Sequence, residues 1–162
     1  MSGQLKSAAV TNGGLTLKQQ HTNKVKRIFC SEGYYEISTL AFYSDSDLNA
    51  LHLDSSAEEM NAIHILNPIS SNLTTMRTIL VPSILNTVVE NLKRGNAFGR
   101  IFELGNIYQP KQLPVMELPN EIPHIGFACF GSDEDFFTIK GTVESLADNL
   151  GLHFDYKRSN NI

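Results

Sequence analysis

The sequence predicts an α+β fold in which an antiparallel sheet is flanked by helices. Two observations support this class. Segments whose apolar residues recur at helical spacing alternate with segments that have the composition of strands. Some of these strands follow one another without a helix between them, as strands do in antiparallel sheets. We expect the helices to lie on one face of the sheet.

Composition limits both the number of domains and the kind of partner. The chain has 162 residues, of which 41% are hydrophobic, and this is enough for one domain with a core. Its net charge of −4 is not that of a protein that holds nucleic acid by charge. Its two cysteines and five histidines show no metal-ligand spacing. The sequence shows no signal-peptide or membrane-helix pattern, which predicts a cytoplasmic protein without a membrane contact.

The first half of the chain predicts a helix, a strand and a short helix. A flexible lead-in is expected at residues 1–14, where two glycines break any element. Thr16 and Gln19 then have the spacing of a capping box, and apolar residues repeat at helical intervals. The aromatic and branched residues of 34–42 predict a half-buried strand. In the polar, acidic stretch that follows, a short helix is predicted around 47–51.

The middle of the chain combines a turn with an amphipathic helix. The dipeptide Asn67-Pro68 predicts a turn after an extended run, because proline disfavours helix in the residue before it. Pro82 suits the first turn of the helix that follows, and Gly95 suits its end. The apolar stripe of this helix, which can cover the domain's own sheet or a partner, consists of Ile84, Leu85, Val88, Val89 and Leu92.

The last third of the chain predicts three strands and a helix. A strand at 97–108 is expected to break or bulge at Gly105. The nearly continuous apolar run at 124–130 is typical of a central strand buried on both faces. Asp135 can cap the next helix, and alternating apolar residues at 152–156 predict a final amphipathic strand.

Three separated motifs carry a resemblance to a known family. They are Asn67-Pro68-x-Ser70 with Met76-Arg77-Thr78, then Ile101-Phe102-Glu103-Leu104-Gly105, then Asp135-Phe136-Phe137-x-x-Lys140-Gly141. In this order they resemble the core domain of the beta subunit of bacterial phenylalanyl-tRNA synthetase. The resemblance implies a class II synthetase-like core domain over residues 15–162, truncated at its C-terminal end.

The same resemblance bears on catalysis. In catalytic class II domains, an arginine on the strand of the second signature motif faces the ATP phosphates, because cations stabilise the charge that develops there. The matching position is Glu103, and a carboxylate cannot hold a triphosphate. The resemblance therefore implies a silent copy with no catalytic, cofactor-binding or metal-binding residue, while ATP and magnesium serve the whole enzyme at its alpha subunit.

The leading hypothesis is therefore an assembly module of phenylalanine–tRNA ligase, a heterotetramer. The module would pack on the catalytic alpha subunit, and tRNA(Phe) would bind through the whole enzyme. We place the subunit interface at Asn67, Pro68, Met76 and Arg77, because methionine and arginine are enriched at interfaces and an extended run reverses there. On this hypothesis Arg77 is dispensable for folding.

Two alternatives stay open. The chain is an independent enzyme that uses ATP to activate an acid, or it is a module that contacts tRNA directly. The second alternative depends on the basic residues Lys93, Arg94 and Arg100.

Overall fold

The computed structural model describes residues 13–157. In chain order its elements are helix α1 (Leu17–Ser31), strands β1 (Tyr35–Glu36) and β2 (Phe42–Tyr43), helix α2 (Asp45–Asn49), a 3-10 helix (Glu58–Met60), strand β3 (Thr75–Met76), helix α3 (Val81–Lys93), strands β4 (Gly99–Gln109) and β5 (Asn120–Phe130), and helix α4 (Phe136–Leu150). The predicted lead-in falls almost wholly outside the described residues. Within 13–157, no helix is long and apolar enough to cross a membrane.

A long antiparallel hairpin of β4 and β5 forms the centre of the fold. It belongs to a three-stranded sheet of order β1-β4-β5, in which β1 runs parallel to β4. The hairpin pairs residue for residue from Gly99 with Phe130 to Gln109 with Asn120. Strands β2 and β3 form a separate antiparallel pair. The predicted α+β class is confirmed.

Helices cover both faces of the three-stranded sheet, which corrects the expectation of one covered face. On the first face, Phe29 of α1 stacks on Phe102 of β4 with ring centroids 4.9 Å apart, and Leu146 of α4 packs beside them. On the second face, Ile84 of α3 belongs to the cluster that includes Ile101. Because successive side chains of a strand point to opposite faces, β4 serves both layers.

The predicted helix boundaries are largely confirmed. Thr16 accepts a hydrogen bond from the backbone N–H of Gln19 at 3.2 Å, and the Gln19 side chain accepts from the backbone N–H of Thr16 at 2.8 Å. The Asp135 carboxylate caps α4 in the same way. Gly95 has φ of 86°, a left-handed value that glycine adopts without steric cost and that suits the end of α3.

The strand predictions are less accurate. The strand expected at 34–42 is two short strands that belong to different sheets. The final strand is wrong, because residues 152–157 form no regular element and fold back on α4 instead, where the Lys140 ammonium lies 4.9 Å from the centre of the Tyr156 ring. The alternating apolar residues of this segment stay about half exposed, and no strand pairs with them within the described chain.

The two hairpin strands also differ from the sequence predictions. Strand β4 runs through Gly105 without a break, and within residues 13–157 strand β5 pairs with β4 alone. The predicted cover on both faces of the apolar run in β5 is confirmed. The run lies between α3 on one face and α1 and α4 on the other, so both sets of side chains pack on helices.

Candidate functional site

The second face of the sheet holds a buried ion pair between Arg77 and Glu103. Arg77 Nη1 donates to Glu103 Oε1 at 2.8 Å, and the two side chains are only 6% and 3% exposed. Arg77 Nε donates to the backbone oxygen of Asn106 at 2.7 Å. A charge at this depth is tolerated only when it is paired and hydrogen-bonded.

The loop after β1 completes this pair. The backbone N–H of Thr39 donates to Glu103 Oε1 at 3.2 Å, and the Thr39 hydroxyl donates to Oε2 at 2.7 Å. Among the described residues, the only buried side-chain polar atom without a partner is Glu134 Oε2, which lies elsewhere. Both charged groups are therefore satisfied inside the domain.

Gly105 makes room for the arginine. A Cβ atom at this position would lie 2.2 Å from Arg77 Nη2, well inside contact distance. The glycine that the sequence analysis interpreted as a strand break is instead a regular strand residue over which a guanidinium packs. Arg77, Glu103 and Gly105 thus form one structural unit, which no motif or spacing in the sequence indicates.

This arrangement leaves neither charged side chain free to bind a charged ligand. Both oxygens of Glu103 are engaged, and Arg77 is also fixed through its backbone, which donates to Ala41 and accepts from Tyr108. Neither side chain is free to contact a partner. This corrects the prediction for Arg77, because its guanidinium is needed to neutralise Glu103 inside the domain.

The other predicted interface residues lie in two different places. Asn67 and Pro68 are exposed on a loop, between Leu66 and Ile69, whose side chains are 96% and 95% exposed. Met76 is half-buried in β3, where it pairs with Phe42. The structure thus separates the exposed loop from Met76 and from Arg77, and the interface role of the loop stays a prediction.

The apolar faces of α1 and α3 differ in how much of each is exposed. In α1, Ile28 and Phe29 are buried in the domain's own core. In α3 only Ile84 of the stripe is fully buried, and Val88 is partly buried against the same cluster. The remaining residues of the stripe are about half exposed, namely Leu85, Val89 and Leu92.

The proposed basic contact residues are largely engaged within the domain. Lys93 pairs with Glu90 at 2.9 Å, and Arg100 Nε donates to Glu134 Oε1 at 2.7 Å. The hydrogen bond from Arg100 lowers the pKa of Glu134, and the same bond raises the pKa of Arg100. Of these three residues, only Arg94 is described without an ion pair, so together they offer little free positive charge.

Residues 13–157 contain no group of three or more histidine, cysteine, aspartate or glutamate side chains close enough to hold an ion. The Thr75 hydroxyl does meet Asp45 and His64, but Thr75 is fully buried and so cannot act as a nucleophile on an outside substrate.

Comparison with known proteins extends these observations. The family model for the phenylalanyl tRNA synthetase beta chain CLM domain matches residues 3–162. The phenylalanine–tRNA ligase beta subunit of Halalkalibacterium halodurans is 31% identical over 153 residues, which are 88% of this chain and 19% of that protein. The beta subunit of Clostridium tetani is 29% identical over 146 residues, 90% of this chain and 18% of that protein. The chain thus spans about a fifth of the length of these relatives.

Solved structures support the fold. Two structures of pyrrolysyl-tRNA synthetase from Desulfitobacterium hafniense superpose with TM-scores of 0.62 and 0.64 at 18% and 16% sequence identity. They cover 85% and 83% of this chain, and the chain covers 46% and 47% of theirs. At this identity the likeness concerns the fold alone, and it agrees with the class II architecture that the motifs implied. The chain belongs to the family of the phenylalanyl tRNA synthetase beta chain CLM domain.

Proposed function

We propose that this domain is a non-catalytic structural module of phenylalanine–tRNA ligase that packs on and supports the catalytic alpha subunit. In this proposal the whole enzyme works in the cytoplasm as a heterotetramer and binds tRNA(Phe). It uses ATP and magnesium to form phenylalanyl-adenylate at the alpha subunit.

The observation that supports a silent role is the closed ion pair of Arg77 and Glu103. A nucleotide would need free cationic donors and open space on this face of the sheet. Arg77 already neutralises a buried carboxylate on this face, and Gly105 leaves the space in which its guanidinium lies against the strand. Binding a triphosphate here would require breaking a satisfied buried pair, which costs several kcal/mol.

Nucleotide binding by the isolated chain is the direct test of this role. Titration calorimetry with ATP and magnesium should give no heat of binding at micromolar to millimolar concentrations. Micromolar affinity would contradict the silent role and would favour the alternative of an independent acid-activating enzyme.

For the partner surface we propose the exposed loop that contains Asn67 and Pro68. Leu66 and Ile69 flank this dipeptide and are almost wholly exposed, so the loop offers two large apolar side chains to a partner at little cost in stability. An open groove of about 480 Å³ lies beside the loop, between residues 39–47, 72–73 and the first turns of α3. The loop and the groove together give a partner an exposed apolar surface and an adjacent recess to contact.

The loop can be tested by measuring affinity for the alpha subunit. Ile69→Ser should weaken binding of the alpha subunit by on the order of 1–3 kcal/mol if this side chain is a hot spot. Leu118→Ser is a matched control, because Leu118 is also a highly exposed apolar residue but lies on the loop between β4 and β5. Equal effects of the two substitutions, or no effect of Ile69→Ser, would contradict this assignment.

A further inference from the structure

The connection from β1 to β2, residues 37–41, forms no regular element. The two strands that it joins belong to different sheets. At its start, Ile37 N donates to the oxygen of Phe102 at 2.8 Å and so continues the pairing of β1 with β4. Beyond this bond, a segment outside the ladders keeps one conformation only where other contacts hold it. The buried pair of Arg77 and Glu103 provides such contacts.

Thr39 joins the connection to both members of the pair. Its backbone N–H and its hydroxyl donate to the two carboxylate oxygens of Glu103, at 3.2 and 2.7 Å. Arg77 Nη1 donates to the same hydroxyl at 3.1 Å. The backbone N–H of Arg77 also donates to the oxygen of Ala41 at 3.0 Å. Residues 38–41 are therefore held against the ion pair.

The same residues form one wall of the groove beside the exposed loop of Asn67 and Pro68. Thr39 and Leu40 line this groove, whereas Arg77 and Glu103 do not. The Leu40 side chain is 61% exposed, so it is available to a partner. The ion pair thus holds a groove wall in place through Thr39, and its own charged groups stay out of the groove.

The other walls of the groove are held by contacts that do not involve the pair. The Tyr43 hydroxyl lies 2.9 Å from the Thr78 hydroxyl in the core. Across the groove, Asn86 Nδ2 of α3 donates to Asp47 Oδ1 of α2 at 3.0 Å. Loss of the ion pair should therefore loosen residues 38–41 and leave the remaining walls in place.

We propose, on the basis of the function proposed above for the loop and the groove, that the buried pair of Arg77 and Glu103 is a positioning element for binding of the alpha subunit. The pair holds Thr39 and Leu40 in the conformation that the partner contacts. A wall that is ordered before binding reduces the conformational entropy that association must lose. Apolar replacement of a buried ion pair is often neutral for stability, so a role in fixing one conformation gives the pair a function beyond stability.

The double variant Arg77→Met with Glu103→Leu tests the structural part of this proposal in the isolated chain. It removes both charges but no side chain that lines the groove. By NMR, the amide at position 77, which donates to Ala41, should exchange about tenfold faster because residues 38–41 open more often. The amide of Thr74, which donates to Tyr43, should exchange at an unchanged rate. Unchanged exchange at position 77 would overturn the proposal.

Affinity for the alpha subunit tests the functional part. The double variant should raise the dissociation constant about tenfold, because binding must then order the groove wall. Arg100→Met with Glu134→Leu is the matched control, since it makes the same chemical change in the ion pair on the other face of the sheet. This control should leave the dissociation constant unchanged. Equal dissociation constants for the two double variants would contradict a positioning role.

Ile69→Ser separates failure of the positioning role from failure of the proposed partner surface. If Ile69→Ser weakens binding and the double variant at Arg77 and Glu103 does not, the loop is a partner surface and the ion pair does not position it. If neither change alters the affinity, the partner surface itself is wrong and the positioning role falls with it. The expected result is weaker binding for both, with faster amide exchange at position 77 in the double variant alone.

Discussion

Strand β4 takes part in two arginine–glutamate pairs, one on each face of the sheet, and their surroundings differ. The pair of Arg77 and Glu103 is almost fully buried, and Thr39 and a backbone oxygen complete it. The pair of Arg100 and Glu134 is 35% and 13% exposed, and Glu134 Oε2 has no partner. Loss of a partner should therefore cost more in the first pair than in the second, because a fully buried charge depends on its partner more than a partly exposed one does.

The largest expected effect comes from removing one member of the buried pair. Glu103→Ala should lower the free energy of unfolding by about 3–5 kcal/mol, because it leaves the Arg77 guanidinium buried without a counter-charge. Urea denaturation followed by circular dichroism measures this difference.

The double variant Arg77→Met with Glu103→Leu sharpens this measurement. Replacing both charges by apolar side chains of similar size removes the uncompensated charge, so most of the lost stability should return. If Glu103→Ala costs less than about 1 kcal/mol, the pair behaves like a surface ion pair and the contrast with Arg100 and Glu134 disappears.

A smaller effect is expected at the glycine beside the buried pair. Gly105→Ala should destabilise the domain by about 1–3 kcal/mol, because the added methyl group would displace the Arg77 guanidinium. Gly141→Ala is the control, since a Cβ atom there meets nothing within 4 Å and the position lies inside α4. It should stabilise the domain by about 0.5–1 kcal/mol through helix propensity. Thermal melts that shift in the same direction for both variants would contradict the packing argument.

The pair of Arg100 and Glu134 should show its role through pH. Arg100 holds the pKa of Glu134 below its ordinary value of 4.5, so the pair stabilises the folded state above that pH. This contribution, about 1 kcal/mol, is lost as the pH falls through the pKa of the folded state. Glu134→Gln should therefore be less stable than the unmodified chain at pH 7, and the difference should shrink below pH 4.5. A difference that stays constant from pH 7 to pH 3 would show that the charge is not involved.

The smallest effect on stability is expected at the exposed loop. Ile69→Ser should change the free energy of unfolding by less than about 0.5 kcal/mol, because the side chain is almost wholly in solvent and loses no packing. Arg77→Ala, in contrast, should destabilise the domain strongly. The sequence predicts an interface that includes Arg77 and that Ile69 directly adjoins, so residue position alone does not separate the two. Similar melting temperatures for these two variants would place Arg77 outside the core.

The sequence predictions are more accurate for features that depend on neighbouring residues than for features that depend on residues far apart in the sequence. The starts of α1 and α4 depend on contacts between residues three positions apart, so Thr16 and Asp135 could be identified directly. Strand positions depend on distant partners, and there the predictions were weaker. The segment 152–156 has the alternation of a strand but no strand to pair with in the described chain, and Tyr156 instead lies against Lys140 of α4.

The candidate site shows the same division. Glu103 could be recognised from the sequence as an anion where the class II pattern has a cation, and this indicated a silent domain. Arg77 was assigned to a surface because its residue type is common at interfaces, whereas its actual partner is 26 positions away in sequence. No local pattern records such a contact, since it arises only when the loop before α3 packs against β4.

The sequence by itself thus determined the α+β class, the helix ends, the family and the anion at position 103, because each of these depends on local spacing or on residue identity. Only the tertiary structure decided that Arg77 is a core residue, that Gly105 leaves room for the arginine and that β5 pairs along its length with β4. Each of these depends on which distant segments lie against one another. Burial, which that packing sets, determines whether a charge is a structural requirement or a surface contact.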